Sequence, residues 1–319
     1  MENAEPPLIQ ATVSRLIRSS RWRMSAAAVQ SRLASLRVAQ DPLPPLKPPH
    51  PSSIVRELLE KNDTEHDIYF GKEHFHNHFP HTLLSQFGLG APESRLKKEW
   101  EIESFNPIPK KQSTEISDEN WKDYIGVDKF YPNYLEFFKK QISKNGATNT
   151  VLTYALDPTA LPSFVSGAVH PLIHTGFGVE FGVNDVVAEG LAEMCVHSPS
   201  FAPVVDSELY SKPATGKKTP LTIANELHDD KIFEKVVTFK DFPKSEPLLK
   251  SKPACDAIKN YVMQWKIDET PEGFAKAYSE LFEITTHFTF SSAFPPPHIA
   301  NNPKFKGKPL RPLLDFFLM

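Results

Sequence analysis

Thirty of the 319 residues are proline. Each one fixes φ near −65° and removes a backbone donor. A chain so punctuated is cut into short elements, and the prolines mark where they start. Six prolines fall within DPLPPLKPPHP, residues 41–51, which reads as a stiff, extended linker. Ahead of it, residues 11–40 carry six arginines, six serines and no acidic residue. That is the composition of a mitochondrial presequence, although Glu2 and Glu5 stand in front of it. Residues 1–51 are expected to be a disordered leader and linker, with the folded body starting at residue 52.

In that body the apolar residues recur at helical spacing. Ser52 or Ser53 can cap a helix carrying Ile54, Leu58 and Leu59, followed by a polar loop over 62–73. Leu83, Leu84 and Phe87 share a face of the next helix. Pro80 suits only a first helical turn, so this helix is expected to start near His78. YPNYLEFFKKQISKNG reads as a helix stopped by Gly146, and PACDAIKNYVMQWK as another. Two helices follow DPTALPS, with Gly176, Gly178 and Gly182 expected to separate them. Thr219–Pro220 and Thr270–Pro271 each supply a capping hydroxyl followed by a first-turn proline. The one alternating stretch that reads as a strand is KVVTFKDF. The expected fold class is all-α: a single, mainly helical domain over 52–319. The final PLLDFFLM is an uncapped apolar helix opening, which points to a chain truncated at its C-terminus.

Several functions are excluded early. A net charge of −3 argues against a nucleic-acid binder. The longest apolar runs fall far short of the roughly 20 residues that span a bilayer. Cys195 and Cys255 are the only cysteines, so there is neither a disulfide framework nor a CxxC zinc site. These features suit a cytoplasmic protein, with mitochondria as the alternative the basic leader suggests. There is no P-loop, no GxSxG and no GxGxxG opening a helix after a strand.

Histidine carries the chemical signal. Four of the twelve lie within eight positions: His74, His76, His78 and His81. His170 and His174 stand four apart in HPLIHTGFGVEFG. On a helix, that spacing aims two imidazoles at one place, as metal sites require. Pro171 has no N–H to offer the carbonyl of Gly167, which is left free for another donor. The candidate ligands are His78, His81, His170 and His174. His76 reads as a surface residue, and His50, His66 and His228 as solvated. Glu189, Glu193 and His197 form a stripe at i, i+4 and i+8; without the Glu-x-x-His pattern of di-iron carboxylate proteins it reads as a solvated or supporting face. HPLIH lacks the glutamate of HExxH, which argues against a zincin-type hydrolase. Imidazole-rich sites suit iron, copper or zinc.

NHFPHTLLSQFGLGAP, HPLIHTGFGVEFG and the terminal LLDFFLM resemble the questin oxidase-like family, mostly fungal enzymes that oxidise and open anthraquinone-type polyketide rings. The resemblance runs from about residue 52 to the end. It implies an all-helical oxygenase with a His-ligated non-haem iron completed by a carboxylated lysine, using O2 and, in some descriptions, NADPH. His78 or His81, and His170 or His174, would be its ligands, and Glu180 in GVEFG would be a catalytic-site carboxylate orienting one of them. Two departures stand out: Thr82 replaces a histidine frequent in the family, and the chain stops before the family's further histidine and its lysine-bearing helix. A non-catalytic helical binding protein of the same fold is the alternative, and a metal-dependent hydrolase a third.

Overall fold

The computed structural model describes residues 50–71, 75–102, 105–206, 209, 214–233, 236 and 245–292. The leader, His74, His298, most of KVVTFKDF and the terminal LLDFFLM lie outside them, as does the side chain of His287. Twelve α-helices and one two-stranded sheet make up these residues, so the chain is mainly helical, as the spacing predicts. They gather into two compact units, one of residues 45–213 with 234–259, the other containing 214–233 and the residues from 260 on.

In the first unit α1 (Ser53–Glu65) follows Ser52 and buries Ile54, Val55, Leu58 and Leu59. It runs on through the stretch expected to be a loop, because Asn62 and Asp63 are buried on the same inner face. A short antiparallel hairpin follows, β1 (Tyr69–Phe70) with β2 (Phe75–His76), in a register that sets Tyr69 opposite His76. His78 then stands at the N-cap of α2 (Phe79–Gly88), with Pro80 in its first turn. α3 (Glu93–Ile102) packs on α1 and α2. A 3₁₀ turn leads into α4 (Tyr131–Asn145), which stops at Gly146 with φ +80°. α5 (Ala147–Tyr154) and the single turn α6 (Leu161–Phe164) come next.

Three successive residues, Gly167, Ala168 and Val169, then adopt positive φ of 57°, 53° and 61°. Left-handed backbone is rare for a β-branched residue and carries strain. This turn delivers His170 to the first position of α7 (His170–Phe181). Gly182 ends α7 with φ +66°, and α8 (Asn184–Val196) follows. Gly176 and Gly178 do not separate the helices as expected; both lie within α7. Gly178 is there for close packing, since a Cβ on it would sit 2.5 Å from the backbone nitrogen of Val187 on α8.

α8 is the central rod, buried at every residue from Val186 to Val196. On one side Leu191, Met194 and Val196 join the aromatic core of α4, with Tyr134, Phe137 and Phe138. On another, Val186 meets Phe79, Leu83 and Leu84 of α2 and the apolar face of α1. A helix apolar all round must be buried, and α8 carries Glu189 and Glu193 inside with it.

The second unit contains α9 (Pro220–Asp229), capped by the Thr219 hydroxyl accepting from the Thr222 amide at 3.2 Å. α10 (Ser245–Leu249) and α11 (Lys252–Val262) up to residue 259 belong to the first unit. In the second unit again, α12 (Pro271–Ser292) packs against α9 and begins at Thr270, whose hydroxyl accepts from the Gly273 amide at 3.0 Å. Both threonine–proline starts stand as predicted. No helix among the described residues is long and apolar enough to cross a membrane.

Candidate metal centre

The two histidine motifs, some 90 residues apart in sequence, meet ring to ring inside the first unit. His78 Nε2 lies 2.8 Å from His170 Nε2. One turn deeper, His81 Nε2 lies 3.0 Å from His174 Nδ1. All four predicted ligands are therefore brought together, in two pairs that each join α2 or its cap to α7. The geometry of α2 produces this: His78 and His81, three apart, project on one face of the first turn.

The surroundings decide which nitrogen each α7 ring offers. Pro171 has no N–H, which leaves the carbonyl of Gly167 free as the sequence implies, and the structure fills it with His170 Nδ1, which donates at 2.6 Å. Neutral His170 therefore presents a lone pair on Nε2. His174 Nε2 donates to Glu189 Oε2 at 2.7 Å, leaving Nδ1 as the free lone pair. Glu189 is held in turn by Asn62 Nδ2 at 3.3 Å, and Asn62 Oδ1 accepts from Asn77 Nδ2 at 2.8 Å. Asn77 also accepts the Phe79 amide at 3.0 Å, tying this chain of contacts to the start of α2. A carboxylate behind a histidine fixes tautomer and ring orientation and raises basicity at the facing nitrogen.

Burial keeps most of these rings neutral, the state in which imidazole ligates. It depresses His78 to about 4, with the neighbouring His170 adding, and His76 to about 3. His81 is held well below its ordinary value and His170 below it, both chiefly by burial. His174 is the exception: burial alone would depress it, but the carboxylates of Glu189 and Glu193 outweigh burial and push it up.

The cluster is larger than the sequence suggests. His76 is not a surface residue; its ring stacks on His170 at 4.0 Å, and its Nε2 lies 2.8 Å from His197 Nε2. Glu193 and His197, expected on a solvated or supporting face, stand within it, and Glu193 is fully buried. Burial would raise the Glu193 carboxyl, but His197, His76 and His174 outweigh it and hold the group below its usual range. His66 is also no solvated residue: its ring stacks on Phe105 at 3.9 Å and leans on Trp100. His50 and His228 are exposed as expected. Glu180 is exposed on α7, and the carboxylate that meets a histidine of HPLIH is Glu189. The missed signal was the helix VVAEGLAEMCV. With apolar residues on every side it had to be buried, and its two glutamates with it.

The donor set fits a transition metal. Two ligands about 90° apart on an ion at about 2.1 Å lie about 3 Å from one another, close to the 2.8 and 3.0 Å of the two pairs. Each pair sets an α2-side ring against a nitrogen of an α7 ring, and the three side chains among the described residues whose donor atoms all lie within 4.8 Å of one another are His76, Glu193 and His197.

Comparison with known proteins agrees. The chain is 30% identical over 198 residues to the Baeyer-Villiger oxidase ptaJ of Pestalotiopsis fici, a match covering 59% of this chain and 45% of that protein. It is 28% identical over 261 residues to the Baeyer-Villiger monooxygenase dmxR6 of a Cryptosporiopsis species, covering 76% and 58%. It is 32% identical over 154 residues to the questin oxidase of Aspergillus fumigatus, covering 45% and 35%. The chain spans about half the length of the curated relatives it matches. A family model described as questin oxidase-like matches residues 75–319. That match takes in all six histidines of the cluster, and the chain belongs to the questin oxidase-like family.

Proposed function

We propose that this chain carries the histidine centre of an oxygenase that inserts an oxygen atom from O2 beside a ring carbonyl of an aromatic, anthraquinone-type polyketide, giving a lactone that opens when water cleaves its acyl C–O bond. The observation that carries the reading is the meeting of His78 with His170 and of His81 with His174, nitrogen to nitrogen at 2.8 and 3.0 Å. The relatives named as questin oxidase and Baeyer-Villiger oxidases support the reaction class. A non-haem iron would be held by histidines of this cluster, with His78, His81, His170 and His174 the candidates. Bound iron supplies the one-electron chemistry through which dioxygen reacts with a closed-shell ring.

The chain's own groups set up the rest. Glu189 holds the proton of His174 on Nε2, and the Gly167 carbonyl holds that of His170 on Nδ1, so the nitrogens facing the centre stay unprotonated. Buried His81 and His174 close the inner side against water, and half-buried His78 marks the side from which substrate approaches. Inserting one oxygen atom consumes two electrons and releases the other atom as water; NADPH is the candidate reductant. The test is elemental analysis of the full chain with O2 uptake on anthraquinones. His174→Ala loses iron and uptake, while His228→Ala keeps both. Equal iron in the two variants refutes the assignment.

A further inference from the structure

α12, in the second unit, turns its largest apolar side chains outward. It packs against α9 and buries Ala277. Yet Phe274 is 59% exposed, Tyr278 74%, Leu281 46% and Phe282 49%. At 3.6 residues per turn these four fall on one side of the helix, and exposed Pro271, Ala275 and Thr285 fall with them. The charged residues of 271–285, Glu272, Lys276, Glu280 and Glu283, all lie on the opposite half. Glu280 is anchored there: it accepts from Trp265 Nε1 at 2.7 Å and pairs with Lys276 at 3.8 Å. The helix is therefore not free to roll its apolar stripe inward.

The stripe is large enough to need a partner. Four side chains of this size and exposure present roughly 450 Å² of apolar surface, and the three smaller ones bring the face to about 600 Å², the upper end for one patch on a monomer. Two such faces together bury about 1,200 Å², where specific interfaces begin. The face carries no charge, so it selects an equally uncharged face rather than an oppositely charged partner. It is also its own complement. Phe274 and Phe282 stand four residues on either side of Tyr278. With two such helices antiparallel about a two-fold axis, Tyr278 meets Tyr278 of the other copy, Phe274 meets Phe282, bulky Leu281 meets small Ala275, and Pro271 meets Thr285. Each residue of the stripe thus faces another residue of the stripe, and no charge enters any of these contacts.

We propose that α12 is a dimerisation helix, which pairs antiparallel with α12 of a second copy of this chain about a two-fold axis passing beside Tyr278. The surface lies in the second unit and uses none of the histidine cluster, so it stands or falls independently of the oxygenase reading.

The experiment follows the full chain by sedimentation velocity from about 1 to 300 µM, beside Tyr278→Glu, with far-ultraviolet circular dichroism to check folding. An interface of this area is expected to dissociate at about 10–100 µM. Tyr278→Glu sets two carboxylates against each other on the axis and is expected to weaken association at least about 100-fold. Register and direction are read by linking cysteine variants with a short bis-maleimide. Cys195 and Cys255 are buried, and wild type reports their reactivity. Tyr278→Cys is expected to link to itself. Phe274→Cys is expected to link to Phe282→Cys in a mixture, and neither to itself, since the equivalent positions then lie about 12 Å apart along the helices. A wild type that stays monomeric throughout the concentration range overturns the proposal. If cysteines at 274 and 282 of that monomer also resist maleimide, another segment of this chain covers the face, and the proposal falls equally. A dimer that Tyr278→Glu leaves intact has its interface elsewhere, and a Phe274→Cys that links to itself makes the pairing parallel; either result refutes it.

Discussion

The contact between α7 and α8 holds the centre in register, and it rests on two glycines. A Cβ on Gly190 would lie 2.6 Å from the backbone nitrogen of Thr175 and 2.4 Å from its Oγ1. The hydroxyl can rotate away, but the backbone nitrogen cannot. Restoring an ordinary contact of about 3.5 Å requires the helices to part by roughly 0.9 Å. Such overpacking costs about 1–3 kcal/mol, offset by roughly 1 kcal/mol for replacing a mid-helix glycine with alanine. Gly190→Ala should therefore lose up to about 2 kcal/mol, which is up to roughly 4–8 °C in Tm for a unit of this size. Gly176 is the internal control. It lies in α7 with nothing within 4 Å of a Cβ, so Gly176→Ala should gain about 0.5–1 kcal/mol. Urea unfolding of the two variants beside wild type gives both signs in one series. The neighbour of Thr175 is His174, whose 2.7 Å bond to Glu189 spans the same gap. The same displacement stretches that bond beyond hydrogen-bond range, so Gly190→Ala should weaken metal binding too. If Gly190→Ala proves as stable as Gly176→Ala, the two helices are not in close contact at this point, and α8 does not hold the site through it.

Two further outcomes follow from the same region. Glu189→Gln keeps the shape of the group behind His174 but removes its charge, so metal affinity should fall about 10- to 100-fold in a chelator competition; an unchanged affinity would mean that Glu189 does not tune the ligand. Asp63 on α1 is buried, and burial, with the charge of Glu189 adding, pushes its carboxyl up to about 6 despite its ion pair with Lys139. Below the ordinary value of 3.8 both folded and unfolded states hold the proton; between 3.8 and about 6 the unfolded chain ionises first. Stability should therefore fall as pH rises through that window, by up to about 3 kcal/mol. Asp63→Asn should remove that part of the slope in urea unfolding at a series of pH values, and parallel slopes for wild type and variant would count against the shift.

The helix starts were legible because their signals are local. Thr219–Pro220 and Thr270–Pro271 each combine a capping hydroxyl with a fixed φ, and each opens a helix where expected. Gly146 stops α4 for an equally local reason. The glycines of HTGFGVEFG were misread because a glycine within a helix looks the same in sequence whether it bends the chain or admits a neighbour. The difference lies in Val187, which no local pattern ties to Gly178. The extension of α1 through Asn62 and Asp63 was hidden likewise, since those polar residues are helical by virtue of what they meet: Glu189 and Lys139.

The site divides along the same line. His78, His81, His170 and His174 were readable from i, i+3 and i, i+4 spacing, and Pro171 even announced the free Gly167 carbonyl that His170 occupies. Spacing along one element cannot reveal that His76 on a strand, His197 just past a helix and Glu193 within it share a point in space. The one clue was energetic. A helix with no polar face leaves its glutamates nowhere to go but inward, and a buried carboxylate must find a partner. Glu189 has His174 and Asn62; Glu193 has no hydrogen-bonded partner among the described side chains, only nitrogens at 3.6–3.9 Å. That spacing is too long for hydrogen bonds. Two carboxylates four residues apart on α8 thus divide the work: Glu189 orients His174 from behind, and Glu193 faces the nitrogens of His76, His174 and His197.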